Sequence, residues 1–486
     1  MRVVRFTVLL SSLLALLLLQ GCATNPVTGE QDFVLMSESD EISLGAKYHQ
    51  QMLEEMSVYP DPELAAYVNQ VGQRIARVSH RPQLDYRFTV IDSPTVNAFA
   101  LPGGYIYITR GILAYLNSEA ELAAVLGHEV GHVTARHSVR QQSASAATGI
   151  AGTIIGAATG VPASQDLFNV FGKAMLSGYG RKQELESDRL GAQYLARAGY
   201  DPQAMLEVIG VLKNQELFEQ QRAREEGRKA RAYHGVFATH PDNDKRLQEV
   251  IAEANHLRTG AEPRTGRAEF LRHLDGLAFG PGENDGMVKA NRFYHKPLNF
   301  GLVFAKGWTI ENRPDRLLAT APDEAAFMQV EVDTLPGQMK ASDYLRQKGL
   351  RDLRKLEPLN VKGFRAYTVS APVSTGFGKR TARIIVLFDN QRAYLFTGVS
   401  RSASNQQLFD GVFRDVARSY HHLSAKEKKL ATGLRLSITK ARSNINFSLL
   451  AKISPIPRYA ESELRLLNDL YPGGEPRTGQ PLKVVR

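Results

Sequence analysis

The chain has 486 residues, 43% of them hydrophobic, and 60 Lys and Arg against 50 Asp and Glu give a formal net charge of +10. One cysteine excludes a disulfide framework, so stability must come from buried cores, and a chain this long can build two or three. The positive excess points to an anionic surface or to a solvated basic face.

The chain opens MRVVRFTVLLSSLLALLLLQGCATNP. Arginines, then a short apolar run, then small residues describe a secretory signal rather than a membrane span. Leu19-Gln20-Gly21-Cys22 resembles the bacterial lipoprotein signal. That resemblance implies removal of residues 1–21 and lipidation of Cys22. Residues 22–40 then form a lipid-anchored tether. Ala23, rather than an acidic residue, follows the cysteine, a pattern that sorts enterobacterial lipoproteins to the outer membrane. The expected location is the envelope, facing the periplasm. Export also replaces nucleic acid with the membrane and other anionic envelope surfaces as partners.

The run SESDEISLGAKYHQQM reads as a helix entry with acidic residues in its first turn. DPELAAYVNQVGQRIARVS is a clearer helix, capped by Asp61, with Pro62 at its first position and Leu64, Val68, Val71 and Ile75 on one face. YRFTVIDSP and NAFALPGGYIYITRG read as strands, turned at Pro102-Gly103-Gly104. Ser118 and Glu121 have capping-box spacing just before the apolar run Leu122, Val125, Leu126, so a helix begins about two turns before His128. SAATGIAGTIIGAATGVP, apolar and rich in Gly and Ala, predicts a helix buried against this domain. Further helices follow through LESDRLGAQYLARAGY and beyond Asp201-Pro202. These elements place a first domain at 41–257 and a linker at 258–290. A strand-rich α+β domain of unknown role follows at 291–425, with an amphipathic helix in NQQLFDGVFRDVARSYHHL. A small unit closes the chain at 426–486.

The chemistry concentrates in LGHEVGHVTARH. On a helix, His128 and His132 project from one face within reach of one ion. Neutral imidazole suits zinc, and a catalytic zinc takes three protein ligands and leaves one position for water. Glu129 is placed as general base, taking a proton from that water as it attacks a carbonyl and returning it to the leaving amine. RKQELESDRLG offers a third ligand, Glu184, with Asp188 one turn on to fix the tautomer of a ligating histidine. Glu186 competes with Glu184 but points to another side of its helix. His137, His234 and Tyr233 are read as structural.

HEVGH followed by Arg136-His137 and QELESD resembles the HtpX-like and CAAX-prenyl-protease-like zinc metalloproteases of the gluzincin group, and among them the envelope lipoprotein peptidases of the BepA and LoiP kind. NAFALPGGYIYITRG and ATHPDNDKR are similar to further blocks of that family. The resemblance covers about residues 25 to 255. It implies an α+β fold: a mainly helical zincin-like protease domain with a small sheet and an edge strand, followed by an α+β domain and a small C-terminal unit. It assigns one Zn2+ per chain to His128, His132 and Glu184, with Glu129 as base. Asn97, Ala98 and Phe99 resemble the edge strand on which substrate lies, a mode that favours unfolded chains. His240 resembles a loop histidine near the metal that either latches the site or polarises the substrate carbonyl. Arg246 either anchors that loop or binds a substrate carbonyl. The implied function is endopeptidase cleavage of misfolded or unassembled envelope proteins, and the alternative is a periplasmic chaperone or assembly scaffold latched by His240. The helical repeats of the BepA kind have no counterpart in this strand-rich second half. The tail ELRLLNDL…GQPLKVV is weakly similar to part of a LysM cell-wall-binding module, which implies peptidoglycan as a partner.

Overall fold

The computed structural model describes residues 22–144, 179–230, 248, 251–252, 254–257, 262–282, 286–312, 316–350, 353, 356–375 and 378–486. A short hairpin of β1 (Cys22–Thr24) and β2 (Gln31–Phe33) precedes helix α1 (Glu38–Glu55). The Ser37 hydroxyl caps α1 by accepting from the Asp40 N–H, and three acidic residues occupy its first turn, where the helix dipole favours them. Asp61 caps α2 (Pro62–Arg77) in the same way, and Leu64, Val68, Val71 and Ile75 are buried on one face, as their spacing predicts.

Three strands follow, β3 (Arg87–Ile91), β4 (Ala98–Leu101) and β5 (Tyr105–Thr109), in the order β3-β5-β4. β5 pairs parallel with β3 and antiparallel with β4, which leaves β4 at the sheet edge among the described residues. The turn from β4 to β5 needs glycine. Gly103 and Gly104 have φ of 77° and 97°, and a Cβ on Gly103 would sit 2.9 Å from the Ile42 Cα. Both faces of β5 are buried. Ile106 and Ile108 enter the main core, while Tyr105 and Tyr107 pack beneath α1, where Phe99 stacks on Tyr107 at 4.8 Å.

Helix α3 (Arg110–Tyr115) leads into α4 (Glu119–Thr134), every residue of which is buried. The Ser118 hydroxyl accepts from the Glu121 N–H at 3.1 Å, and the Glu121 carboxylate reaches back one residue further than a simple box, to the Asn117 N–H at 2.9 Å. Around α4 pack α5 (Arg181–Arg197), α6 (Ala204–Glu225) and α7 (Arg267–Leu274). Strand β6 (Ala278–Phe279) comes next.

The chain divides into two compact units, Met1–Phe279 with Leu434–Arg486, and Gly280–Gly433. In the second unit, β7 (Met287–Lys289), β8 (Arg292–His295), β9 (Phe300–Val303) and β17 (His421–His422) form a four-stranded antiparallel sheet. A seven-stranded antiparallel sheet contains β10 (Thr309–Asn312), β11 (Leu317–Thr320), β12 (Ala326–Thr334), β13 (Glu357–Val361), β14 (Phe364–Thr375), β15 (Gly378–Asp389) and β16 (Arg392–Ser400), in the order β10-β11-β12-β16-β15-β14-β13. The residues of β15 and β16 alternate between two cores. One includes Tyr344 and Leu345 of α8 (Ala341–Gln347), and the other includes Phe413 and Val416 of α9 (Gln406–Arg418). The hairpin across Asp389-Asn390, with Asn390 at φ 52°, is the one the sequence predicts.

The tail returns to the first unit. β18 (Leu434–Lys440), α10 (Phe447–Ile453), α11 (Ala460–Leu467) and β19 (Pro481–Val485) make a βααβ arrangement, and β18 pairs with β19 on one side and β6 on the other. Lys483, fully buried, donates to the Ala114 and Leu116 carbonyls at 2.7 Å each, satisfying the buried C-terminal end of α3. This division differs from the boundaries predicted at 258–290, 291–425 and 426–486. The difference comes from pairing between β6 and β18, over 150 residues apart in sequence, which no local pattern announces.

Candidate metal centre

Two helices make the site because small residues let them meet. A Cβ on Gly131 of α4 would lie 3.0 Å from the Ser187 carbonyl oxygen of α5, and one on Gly191 would lie 3.1 Å from the His128 nitrogen. Larger residues would hold the helices apart. The close approach brings Glu184 and Asp188 of α5 onto the face of α4 that carries His128 and His132.

His128 Nε2 lies 2.9 Å from His132 Nε2 and 3.4 Å from Glu184 Oε2, and His132 Nε2 lies 3.8 Å from Glu184 Oε1. Among the described residues, these three are the group whose ligand atoms could hold a metal, and all are buried. The outer nitrogen of His128, Nδ1, is 2.8 Å from Asp188 Oδ1. Burial acts against a charge on His128, but the hydrogen bonds to Asp188 and Glu184 outweigh it and push its pKa up to about 10. Two carboxylates against a buried imidazole demand positive charge at this point, and a divalent cation meets that demand as a proton does. Two His and one Glu are also a donor set that zinc takes.

Glu129 adjoins the cluster. Burial pushes its carboxyl up to about 8, against the pull of His128 and with the help of the Glu184 charge. Its Oε1 is buried and makes no hydrogen bond among the described residues. A buried carboxyl raised towards neutral pH beside a candidate cation site suits general-base catalysis.

Glu186 turns away from the cluster, accepting from His137 Nε2 at 3.1 Å and from Arg140 Nη1 at 3.2 Å. His137, read from sequence as structural, is fully buried with Nδ1 2.8 Å from His132 Nδ1. Tyr179 stacks on His132 with ring centroids 4.1 Å apart. These contacts had little signal in sequence: His137 lies five residues beyond His132, off its helical face. The chain reverses through Arg136, at φ 54°, whose guanidinium donates to Glu41 Oε2 at 2.8 Å and to the Met36 carbonyl at 3.0 Å. Asn97, Ala98 and Phe99 lie at the start of the edge strand β4. His240, Arg246 and the apolar stretch 145–162 lie outside the described residues.

Residues 62–254 match the profile of Peptidase family M48, a span that takes in α2, the sheet, α4 and α5 and therefore the whole cluster. Over that span the chain resembles an M48 peptidase domain. The chain is similar to the beta-barrel assembly-enhancing protease of Escherichia coli (strain K12), 27% identical over 369 residues, covering 71% of this chain and 73% of that one. The protein of the same name from Yersinia pestis is 29% identical, over 65% of this chain and 67% of its own. The mitochondrial metalloendopeptidase OMA1 of Schizosaccharomyces pombe is 33% identical over 204 residues, 40% of this chain and 57% of its own. The described residues form an α+β fold, and no described helix is long and apolar enough to cross a membrane.

Proposed function

We propose that His128, His132 and Glu184 hold one zinc ion, that Glu129 is the general base, and that the enzyme cleaves unfolded or unassembled proteins of the bacterial envelope. The observation that carries this reading is the convergence of a His, His, Glu donor set with a buried carboxyl poised near neutral pH. When bound, zinc supplies Lewis acidity to a carbonyl and to attacking water. Asp188 takes the Nδ1 proton of His128 in a hydrogen bond and so presents Nε2 to the ion. Glu129 accepts a proton from the attacking water and hands it to the leaving amine. The edge strand β4 supports an extended substrate. Residues 97 and 99 turn their backbone groups towards β5, as the Thr109 N–H to Asn97 carbonyl bond at 3.0 Å shows for Asn97, so Ala98 and Ala100, both buried, direct theirs away from β5, the side on which substrate would pair. A chain must be locally unfolded to pair there, which selects misassembled proteins, in keeping with the similarity to proteases named for β-barrel assembly.

Cys22 is the proposed lipid attachment, holding the peptidase to the envelope, in the outer membrane by the residue that follows it. Contact of the C-terminal tail with cell-wall polymer is part of the proposal, resting on its weak sequence similarity to part of a LysM module. Two measurements test the reading. The mature chain begun after Cys22 should cleave casein and leave a folded domain intact; equal cleavage of both would contradict strand-edge selection. Full-length Cys22→Ala should leave the membrane fraction, and unchanged membrane association would remove the anchor.

A further inference from the structure

Asp188 and His137 hold the two candidate histidine ligands in different ways. His128 leans on a carboxylate. His132 leans on a second imidazole, and that imidazole is the start of a chain of contacts leading away from the site.

The donors and acceptors along it can be assigned in only one consistent way. His132 Nε2 faces His128 and Glu184, so a ligating His132 carries its proton on Nδ1. That proton points at His137 Nδ1, 2.8 Å away, which must therefore accept. His137 then carries its own proton on Nε2 and donates it to Glu186 Oε2 at 3.1 Å. The Ser187 hydroxyl, 3.4 Å from His137 Nδ1, comes from the same turn of α5 as Glu186. Glu186 is fixed from its far side by Arg140 Nη1 at 3.2 Å. Arg140 Nε in turn lies 3.4 Å from Asp32 Oδ2 in the hairpin beside Cys22, and Asn25 Nδ2 donates to the same Asp32 oxygen at 2.7 Å. Every group in the relay is held on both sides, and His137 has no solvent-exposed surface through which water could replace it.

We infer that His137 is a positioning residue for the metal centre, setting the tautomer and ring orientation of His132 through a His132–His137–Glu186 relay that Arg140 ties to the N-terminal hairpin. Glu186, the residue that competes with Glu184 in the sequence, thus acts on the metal through two imidazoles rather than by ligating it. The inference rests on the zinc reading above. Outer-shell partners of this kind are worth about 10- to 100-fold in metal affinity.

The test is zinc affinity, measured by competition with a chromogenic chelator on the mature chain begun after Cys22, alongside the visible spectrum of the cobalt-substituted protein. His137→Leu removes the acceptor and should weaken zinc binding by about 10- to 100-fold and shift the cobalt spectrum. His137→Asn keeps an acceptor oxygen near the Nδ1 position and should restore affinity to within about threefold of wild type, a rescue that a purely packing role would not give. Should His137→Leu fail to fold, Glu186→Leu decides, because it releases the His137 ring without touching α4. Wild-type zinc affinity and an unchanged cobalt spectrum in His137→Leu, or in Glu186→Leu where that variant decides, would overturn the relay. A wild-type chain that binds no zinc would instead overturn the metal-centre reading and the relay with it.

Discussion

Glu119 is the first residue of α4 and has no exposed side-chain surface, yet it is charged. Its carboxylate accepts from Tyr67 at 2.7 Å and Tyr200 at 2.6 Å, and pairs with Arg74 and Arg264 at 2.7 Å each. Burial works to raise its pKa, but these hydrogen bonds and charges prevail and hold it below the ordinary carboxylate value. A carboxylate whose pKa is lowered by folding adds stability above its unfolded pKa, and that stability is lost as pH falls through the folded value. Urea unfolding from pH 7 down to about pH 2 should show this stability falling away below the ordinary Glu value of 4.5. Glu119→Gln should cost about 2 kcal/mol at pH 7, less than a fully buried pair because Arg74 and Arg264 reach solvent, and should flatten the acid limb. An unchanged pH profile in Glu119→Gln would assign the acid sensitivity elsewhere. At this scale the sequence was informative where spacing on one helix decides geometry: His128 with His132, and Glu184 with Asp188. It was uninformative for His137, whose position depends on the left-handed Arg136 after the helix has ended.

Helix α4 is legible as an element from its capping residues and apolar run, but its complete burial is not. Amphipathic patterning predicts one buried face, whereas here the sheet, α2, α5, α6 and α7 surround it. Gly127 and Gly131 are the visible trace of that burial. They face the backbones of Gly191 and Ser187, and the approach they permit places Glu184 within reach of both histidines. Gly131→Val should therefore destabilise the fold by about 1–3 kcal/mol through overpacking and weaken zinc binding by separating α4 from α5. Thermal unfolding of the metal-free protein and chelator competition measure the two effects. Wild-type values in both would show that the helices have slack the structure does not suggest. The strands were easier to read than their pairing. The Pro-Gly-Gly turn predicts a reversal after Leu101, but only the structure shows β5 in the middle and β4 at the edge.

Across the whole molecule, the peptidase is built from two distant stretches of chain. The βααβ tail completes the unit that holds the candidate metal centre, because Lys483 satisfies the last carbonyls of α3 and the Tyr115 hydroxyl bonds Glu463 at 2.5 Å. A chain ending at Gly433 would leave those carbonyls without their partners, at about 1–3 kcal/mol each, and would expose the core side of β6. Such a chain should unfold at lower urea concentration than the full chain and lose zinc. If it kept full stability, the tail would be a separate module after all. Composition and spacing revealed that the second half is strand-rich, as the seven-stranded sheet of Gly280–Gly433 is. They could not reveal that Leu434–Arg486 returns to the first unit, since that depends on contacts far apart in sequence.

The central claim is that a zinc ion and Glu129 together hydrolyse peptide bonds in this site. Its most direct test compares zinc content and casein cleavage in the mature chain begun after Cys22 with those of the Glu129→Gln variant. Zinc near one per chain in both proteins is expected, with cleavage in the wild type and a loss of at least about 100-fold in Glu129→Gln. Cleavage surviving in Glu129→Gln, or a wild-type chain that cleaves while holding no metal, would contradict it.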